Sequence, residues 1–283
     1  LCRQTDLLLA AGKTGAAVAT TTVSAIPVLT TMSEEQIAGV LAAEGNDNLL
    51  FEALAGTGKT TEMVQLVRVF ASRGLSVITL AFAKRDQLAL DERCCGQAVV
   101  ATSNAAGYRI LAAYCKSVGS KLQMDDSVSF NLLKKMLVGD GLITLENGKE
   151  KWNVGHGVVG SVIDIVGKAR AILPLSAVNP ELPKAPTESD YVDIMGRFGI
   201  EIATDELPNV LSWCASLFAE LASLKTLTTH GTDFNGQVFL PSYHNLKPAQ
   251  VFDRVLVDEA QDQSYTNRRI AELHRKPVVG RIV

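Results

Sequence analysis

The stretch LLFEALAGTGKTTEMVQLVRVF, residues 49–70, decides the fold. The apolar run NLLFEAL at 48–54 predicts a buried strand, and the glycine-rich turn AGTGKTT at 55–61 follows it. A helix is predicted next, ended by Gly74, because apolar residues recur at helical spacing: Met63, Leu66, Val67 and Phe70. A strand, a glycine turn and a helix in this order form an anion site, since the backbone amides of the turn and the positive end of the helix dipole converge there.

The residues of the turn predict which anion is bound. Lys59 is expected to contact the outer phosphates of a nucleotide, and the Thr60 hydroxyl is expected to ligate Mg²⁺. Ala53, a small residue, stands where the usual pattern begins with glycine. The flanking strand and helix favour a phosphate loop over a chance glycine turn. The residues expected to hold the nucleotide are Ala55, Gly56, Thr57, Gly58, Lys59, Thr60 and Thr61.

A second motif, VLVDEAQD at 255–262, supplies the acidic groups that nucleotide hydrolysis needs. Three apolar residues place Asp258 at the end of a predicted strand, where it is expected to hold Mg²⁺ through its water shell. Glu259 is expected to orient and deprotonate the attacking water. Gln261 is expected to contact the γ-phosphate, which suits an ATPase that converts hydrolysis into movement. By itself the motif also fits an acidic strand end followed by a solvated turn.

Apolar strands alternate with helices at both ends of the chain, and this pattern predicts a parallel sheet covered on both faces. Further strands are predicted at 75–82, 97–102 and 251–259. Between them, the region 105–250 is interpreted as an insertion of helices, with a proline-rich linker at 173–190. The predicted divisions are a flexible lead-in at 1–32, a first part of the sheet domain at 33–104, the helical insertion at 105–250 and a second part of the sheet domain at 251–283.

Composition places the chain in an ordinary class of globular protein. Of its 283 residues, 47% are hydrophobic and 20% are charged, and the net charge of −3 implies that any nucleic acid would bind in a local groove. The five cysteines form no C-x-x-C pair and have no histidine at metal-ligand spacing, so free thiols in a reducing cytoplasm are expected. No apolar run reaches the roughly 18 residues of a membrane span, and no membrane partner is expected.

With these motifs in place, the chain resembles the UvrD/Rep type of superfamily one DNA helicase over about residues 32–270. AGTGKTT resembles the first motif of that family and DEAQD its second. Gln36, in MSEEQ, stands where the family's N-terminal glutamine reads the adenine. The run-in DFNGQVFLPSYHNLKPAQVFDRVLVDEAQD is similar to that of phage-type members.

Two further stretches resemble the family's single-stranded DNA contacts. They are LAFAKRDQLAL at 80–90 and VATSNAAGYRIL at 100–111. The resemblance implies four DNA contacts: Phe82, Lys84, Thr102 and Asn104. The chain departs from the family at Ala83, where Asn or Thr is usual, and at Ser103 and Asn104, where Phe and His are common.

The resemblance implies a P-loop NTPase of the RecA-like α/β type, with a helical inserted subdomain, ATP and Mg²⁺ as cofactors and single-stranded DNA as partner. The activity implied is that of an ATP-dependent DNA helicase or translocase in DNA repair or replication. After PVVG the family continues with Asp and Gln, whereas Arg281 follows Gly280 here. A second RecA-like lobe, with its arginine fingers, is therefore expected C-terminal to this chain, and the part at 251–283 is expected to be truncated, so that the chain alone does not unwind DNA.

Three alternatives remain open at this point. A truncated, non-motor module that binds nucleotide and DNA fits the same motifs. Another P-loop NTPase is less well supported, because a GTPase would need an N-K-x-D motif, which is missing, and a small-molecule kinase would not need Gln261. Trp152 and Trp213 are candidates for base stacking, with core packing favoured.

Overall fold

The computed structural model describes residues 32–43, 48–52, 56–172, 184–277 and 280–282. The predicted lead-in up to residue 31 and the linker residues 173–183 lie outside the described residues, as do Ala53 and Ala55.

Eleven helices and six strands are present in the described part of the chain. The helices are α1 (Glu34–Ala43), α2 (Lys59–Ser72), α3 (Lys84–Cys94), α4 (Ser103–Ser117), α5 (Val128–Gly139), α6 (His156–Ile172), α7 (Glu188–Phe198), α8 (Leu207–Leu221), α9 (Leu224–His230), α10 (Gly236–Tyr243) and α11 (Tyr265–His274). The strands are β1 (Val77–Ala81), β2 (Val99–Thr102), β3 (Ile143–Glu146), β4 (Lys149–Trp152), β5 (Arg254–Val257) and β6 (Arg281–Ile282). A short 3₁₀ turn, Ala260–Asp262, separates β5 from α11.

The main sheet has four parallel strands in the order β2-β1-β5-β6, of which β6 is only two residues long. The central strand β1 reads VITLA and is buried along its whole length. Its register pairs Leu80 with Ala101 of β2 and with Val257 of β5. Because parallel strands point the same way, the carboxyl ends of β1, β2 and β5 lie at one edge of the sheet. The predicted α/β fold with a parallel sheet is thereby confirmed.

Successive side chains of β1 point to opposite faces of the sheet, so they belong to two different cores, one on each face. Val77 and Ala81 pack with residues of α1, α2 and α3. Ile78 and Leu80 pack with residues of α4, α10 and α11. The prediction of helices on both faces of the sheet is therefore confirmed.

The chain between β2 and β5 is mainly helical, as predicted, and has a large apolar core of its own. Helices α4 and α10 contribute to that core and also to one face of the sheet: Ile110 packs on the sheet, and its neighbour Leu111 packs in the helical core. The structure does not test the predicted domain divisions, which remain predictions.

One buried ion pair ties the helical region together. Arg170 of α6 is only 1% exposed and donates two hydrogen bonds, of 2.7 and 2.6 Å, to Asp233. Asp233 also accepts from the Gly236 amide and from the Ser129 hydroxyl. Burial would raise the pKa of Asp233, but the bonds and charge of Arg170 outweigh it and lower that pKa. Losing one partner of such a buried pair costs about 3–5 kcal/mol.

The predicted strand at 48–54 is wrong over its described part. Residues 48–52 are not in a strand, and Leu50 is 73% exposed. The segment still lies beside β6, because the Leu49 amide donates to the Ile282 carbonyl at 3.2 Å. The Ile282 amide in turn donates to the side chain of Asn48 at 3.0 Å. In a ladder the Ile282 amide would donate to a backbone carbonyl, but here it donates to the side chain of Asn48. Because β6 is also only two residues long, residues 48–52 and β6 form no ladder.

The predicted helical insertion also contains two short strands, at residues 143–152. Strands β3 and β4 form an antiparallel hairpin there, with Glu146 paired to Lys149. Its turn residues Asn147 and Gly148 have φ of 54° and 74°, as a tight type I′ turn requires. The sequence ITLENGKEKW carried this signal, since Asn-Gly between two short extended runs is typical of such hairpins.

One boundary also differs from the prediction. The linker predicted to run to residue 190 ends earlier, because Thr187 and Asp190 form a capping box that starts α7 at Glu188.

Among the described residues, no single helix is both long and apolar enough to cross a membrane. Helices α8 and α9, which are bent by 76° relative to each other, reach that length and composition only when taken as a pair.

Candidate functional site

The glycine turn is built so that helix α2 starts at Lys59. Gly56 and Gly58 have φ of 79° and 88°, a left-handed conformation that other residues rarely adopt. The Gly58 carbonyl accepts from the amides of Thr61 and Glu62, at 2.9 and 3.0 Å, and so begins the helix. The first turn of α2 therefore presents Lys59 and Thr60 next to the loop.

Three predicted catalytic residues meet at one carboxylate oxygen. Lys59 Nζ lies 3.2 Å from Oε2 of Glu259, across 200 residues of sequence. Gln261 Nε2 donates to the same oxygen at 2.6 Å. The hydrogen bonds from Gln261 and Lys59 lower the pKa of Glu259. The chain thus brings a helix-start lysine, a carboxylate and an amide together at the carboxyl edge of the sheet.

Glu259 has a strained backbone. Its φ of 47° and ψ of 50° lie in the left-handed region, which costs a non-glycine residue of order 1–3 kcal/mol. Its amide donates to Oδ1 of Asp258 at 3.1 Å, and its carbonyl accepts from the Asp262 amide. These bonds hold the turn that aims the Glu259 side chain at Lys59.

Asp258 is the buried acid of the site, with 8% of its surface exposed. Its amide donates to the Leu80 carbonyl at 2.9 Å, which fixes it at the end of β5. Burial raises the pKa of Asp258, and the charge of Glu259 raises it further. A buried carboxylate with a raised pKa favours a nearby cation, because a cation offsets the cost of the charge.

The residues present fit Mg²⁺. This ion binds through oxygen, keeps several waters and needs only one or two protein carboxylates besides the phosphates. Asp258 and the Thr60 hydroxyl are such donors. Within the described residues, no group of three or more His, Cys, Asp or Glu could hold a metal without a nucleotide. A Mg²⁺ ion here would therefore depend on phosphate oxygens as well.

The other loop threonines have partners of different kinds. The Thr61 hydroxyl accepts from Arg93 Nη2 at 3.0 Å, so it links α2 to α3. Thr57 is exposed, and its carbonyl accepts from Gln36 Nε2 at 3.2 Å. Among the loop threonines, Thr61 therefore has a hydrogen bond to Arg93 of α3 that the sequence did not reveal.

Gln36 connects α1 to the glycine turn. Its side-chain carbonyl accepts from the Ser33 amide at 3.0 Å, and the backbone amide of Gln36 donates to the Ser33 hydroxyl at 3.3 Å, which makes a capping box. The side-chain Nε2 of Gln36 donates to the loop carbonyl of Thr57. The side chain thus supports the loop, and its adenine-reading role remains a prediction.

The predicted DNA contacts all lie at or just after the carboxyl ends of β1 and β2. Phe82 is exposed directly after β1, and Lys84 is the first residue of α3, where Nζ donates to Gln87 Oε1 at 2.8 Å. Thr102 caps α4, since its hydroxyl accepts from the Ala105 amide at 3.1 Å. These residues lie at the same edge as Asp258 and Glu259.

Asn104 and the tryptophans already have partners inside the protein. Asn104 Nδ2 donates to the Phe234 carbonyl at 3.0 Å. Trp152 packs beside Phe130 and His156, and Trp213 donates to Asp140 at 3.1 Å. The structure therefore gives Trp152 and Trp213 packing roles, as favoured from the sequence.

Sequence reasoning missed Gln263. It is 5% exposed, its Nε2 donates to the Asp258 carbonyl at 3.4 Å, and its Oε1 accepts from the Ser103 hydroxyl at 3.3 Å. No spacing rule marks a buried amide after an acidic turn, so only its position in the fold reveals it.

An open cleft of about 410 Å³ lies along α6 and contains none of the predicted site residues. It is lined by Gly160, Ile163, Asp164, Gly167, Lys168, Ala171 and Asn235.

Neither a scan against protein-family models nor a search of curated proteins found a match for this chain.

Proposed function

We propose that this chain is the ATP-binding lobe of an ATP-dependent DNA helicase or translocase of the UvrD/Rep type. The observation that carries the proposal is the meeting of Lys59, at the start of the helix after the glycine turn, with Glu259, at the end of β5. A phosphate site and a hydrolytic acid have to share one edge of the sheet, and these two residues do.

The arrangement of the chain supports a P-loop, RecA-like assignment. Residues 48–52 lead into the glycine turn and lie beside β6, which lies beside the acid-bearing strand β5. In α/β sheets, ligands bind outside the carboxyl ends of the strands. Lys59 and Asp258 lie at that end.

In the proposed reaction, the loop amides and Lys59 bind the phosphates of ATP. Thr60 and Asp258 would hold Mg²⁺, and the chemistry that this ion would supply is neutralisation of the charge that develops on the transferred phosphoryl group. Glu259 accepts a proton from the attacking water once Lys59 and Gln261 have left its carboxylate for the phosphates. Gln261, two residues further, contacts the γ-phosphate.

Nucleotide binding has one prerequisite in this structure. Lys59 is paired with Glu259, so it has to leave that carboxylate to reach a phosphate. Both side chains are about one-third exposed, and an ion pair at such a position is weak. A polyphosphate with several negative charges can therefore compete for Lys59.

A non-motor module that binds nucleotide but not DNA is the second candidate; it differs from the nucleotide- and DNA-binding module considered from the sequence, because it does not use the predicted DNA contacts. It is favoured by the partners of Lys84, Thr102 and Asn104, because three of the four predicted DNA contacts already use their side chains within the protein.

The proposal is tested by binding of a non-hydrolysable ATP analogue in Mg²⁺, measured by calorimetry on the chain and on Lys59→Ala. We expect Lys59→Ala to weaken binding at least about tenfold, since a charge-assisted contact is lost. The matched control is Lys225→Ala, at an exposed position of α9, which should bind as the unmodified chain does. Equal affinity in Lys59→Ala would contradict the phosphate-loop assignment.

A second measurement separates the two candidates. Fluorescence anisotropy of a labelled oligo-dT strand reports DNA binding, which should weaken steeply with salt if phosphates are contacted. Nucleotide binding without any oligo-dT binding would favour the non-motor module.

A further inference from the structure

The side chain of Gln263 forms a buried bridge between two elements of the sheet edge. At one end its Nε2 donates to the carbonyl of Asp258, the last residue before the acidic turn. At the other end its Oε1 accepts from the hydroxyl of Ser103, the first residue of α4. Gln263 and Ser103 are both buried. We refer to these two bonds as the Ser103–Gln263–Asp258 bridge.

Each end of the bridge adjoins a different proposed ligand. Asp258 belongs to the proposed Mg²⁺–ATP site. Ser103 lies between Thr102, which caps α4, and Asn104, which bonds to the Phe234 carbonyl; both neighbours are proposed DNA contacts. The bridge therefore connects the proposed Mg²⁺–ATP site with the proposed DNA contacts.

We propose that Gln263 is a positioning residue that couples nucleotide binding to the binding of single-stranded DNA at the start of α4. This inference rests on the proposed function, because coupling requires both ligands. If Mg²⁺–ATP shifts the backbone of Asp258, the amide of Gln263 either follows or leaves buried polar atoms without partners. Unsatisfied buried groups are costly, so the amide follows and moves Ser103 with it.

The test is a linkage measurement on the 283-residue chain. The affinity for a non-hydrolysable ATP analogue with Mg²⁺ is measured without DNA and with saturating oligo-dT. In the unmodified chain we expect the two affinities to differ by about fivefold or more. Gln263→Leu keeps a similar volume but removes both hydrogen bonds. It should bring the ratio to within about twofold of one, while each ligand alone binds within about threefold of normal.

Ser103→Ala tests the bridge from its other end by a smaller change. It removes only the hydroxyl, and it should also abolish the coupling. Since both variants break the same chain of contacts, the double variant should lose no more coupling than either single one. Gln97→Leu, at an exposed position before β2, is the matched control and should keep normal coupling. Thermal melting of each variant checks its fold.

The outcomes are distinguishable. Normal coupling in Ser103→Ala together with a general loss of stability and of both ligands in Gln263→Leu would show a merely structural role and overturn the inference. Full coupling in both variants, or an unmodified chain that binds both ligands without coupling, would also overturn it and leave the proposed function intact. A chain that binds no nucleotide would overturn the proposed function itself, and the inference with it.

Discussion

At the scale of single residues, two adjacent acids of the site have opposite electrostatic environments. Asp258 is buried and its pKa is raised, whereas Glu259 is accessible and hydrogen bonds from Gln261 and Lys59 lower its pKa. Opposite shifts in neighbouring titratable groups are typical of sites that divide chemical roles between them. In the proposed reaction, Asp258 would hold the metal and Glu259 would accept the proton.

Glu259→Gln should preserve ATP and Mg²⁺ binding but lose turnover, because glutamine cannot accept the proton of the attacking water. We expect a loss of roughly 10²–10⁴-fold in hydrolysis, measured by phosphate release under single-turnover conditions. Binding of the ATP analogue is the control. Hydrolysis at the unmodified rate would remove Glu259 from the role of base.

Asp258→Asn should stabilise the fold at neutral pH while weakening Mg²⁺-dependent nucleotide binding. The folded state raises the pKa of Asp258, so its ionised form is disfavoured by folding above that pKa. Asparagine removes the charge and keeps an oxygen for the Glu259 amide. The melting temperature of the variant should exceed that of the unmodified chain at pH 7.

The higher melting temperature of Asp258→Asn should disappear as the pH falls below about 4, where Asp258 is protonated in both the folded and the unfolded state. Melting curves from pH 7 to pH 3, without Mg²⁺ and nucleotide, check this. A lower melting temperature for Asp258→Asn throughout the range would contradict the raised pKa.

At the scale of elements, the turn before α2 depends on glycine for both its conformation and its space. Gly58 has φ of 88°, and a Cβ on it would lie 2.8 Å from Gln36 Nε2. Gly74, which follows α2, also has positive φ, but a Cβ there would meet nothing within 4 Å. Comparing substitutions at Gly58 and Gly74 therefore separates the effect of backbone strain from the effect of crowding Gln36.

Gly58→Ala should lower stability and also weaken binding of the ATP analogue, because the added methyl group displaces Gln36 from the loop. Gly74→Ala should lower stability by a comparable amount, about 1–3 kcal/mol, with unchanged binding. Urea denaturation and calorimetry provide the two readouts. Equal effects of the two variants on binding would show that the loop tolerates a side chain at Gly58.

At the scale of the whole molecule, Asp253 joins three segments at the amino end of the sheet. It accepts hydrogen bonds from the Ser76 amide and hydroxyl and from Lys276 Nζ. Partial burial would raise the pKa of Asp253, but the bonds from Lys276 and Ser76 outweigh it and lower that pKa to about 2. The segments before β1, before β5 and after α11 are thereby held together, away from the proposed ATP site.

Asp253→Asn should lower the stability of the fold by about 1–2 kcal/mol at pH 7 without changing nucleotide affinity. A depressed folded-state pKa contributes stability above the unfolded pKa of about 3.9, and this contribution is lost as the pH falls toward 2. The difference in unfolding free energy between the unmodified chain and Asp253→Asn should therefore disappear between pH 4 and pH 2. If urea denaturation showed the same difference in unfolding free energy across this pH range, the lowered pKa of Asp253 would be contradicted.

What the sequence determined by itself depends on local patterns. The capping residue Ser33, the apolar run of β1 and the glycines around α2 follow from preferences that act over a few residues. The hairpin at 143–152 belongs here too, because Asn147-Gly148 is a local signal for a tight turn. These local signals sufficed for the α/β class, a parallel sheet and the positions of most helices.

Tertiary structure alone decided which of these residues meet. Lys59 and Glu259 come together because the order of strands brings two chain segments to one sheet edge. Residues 48–52 form no strand because the side chain of Asn48 bonds to the short β6, and Gln263 acquires its partners only once α4 packs beside β5. Burial and long-range hydrogen bonding depend on neighbours far apart in sequence, and no local pattern contains them.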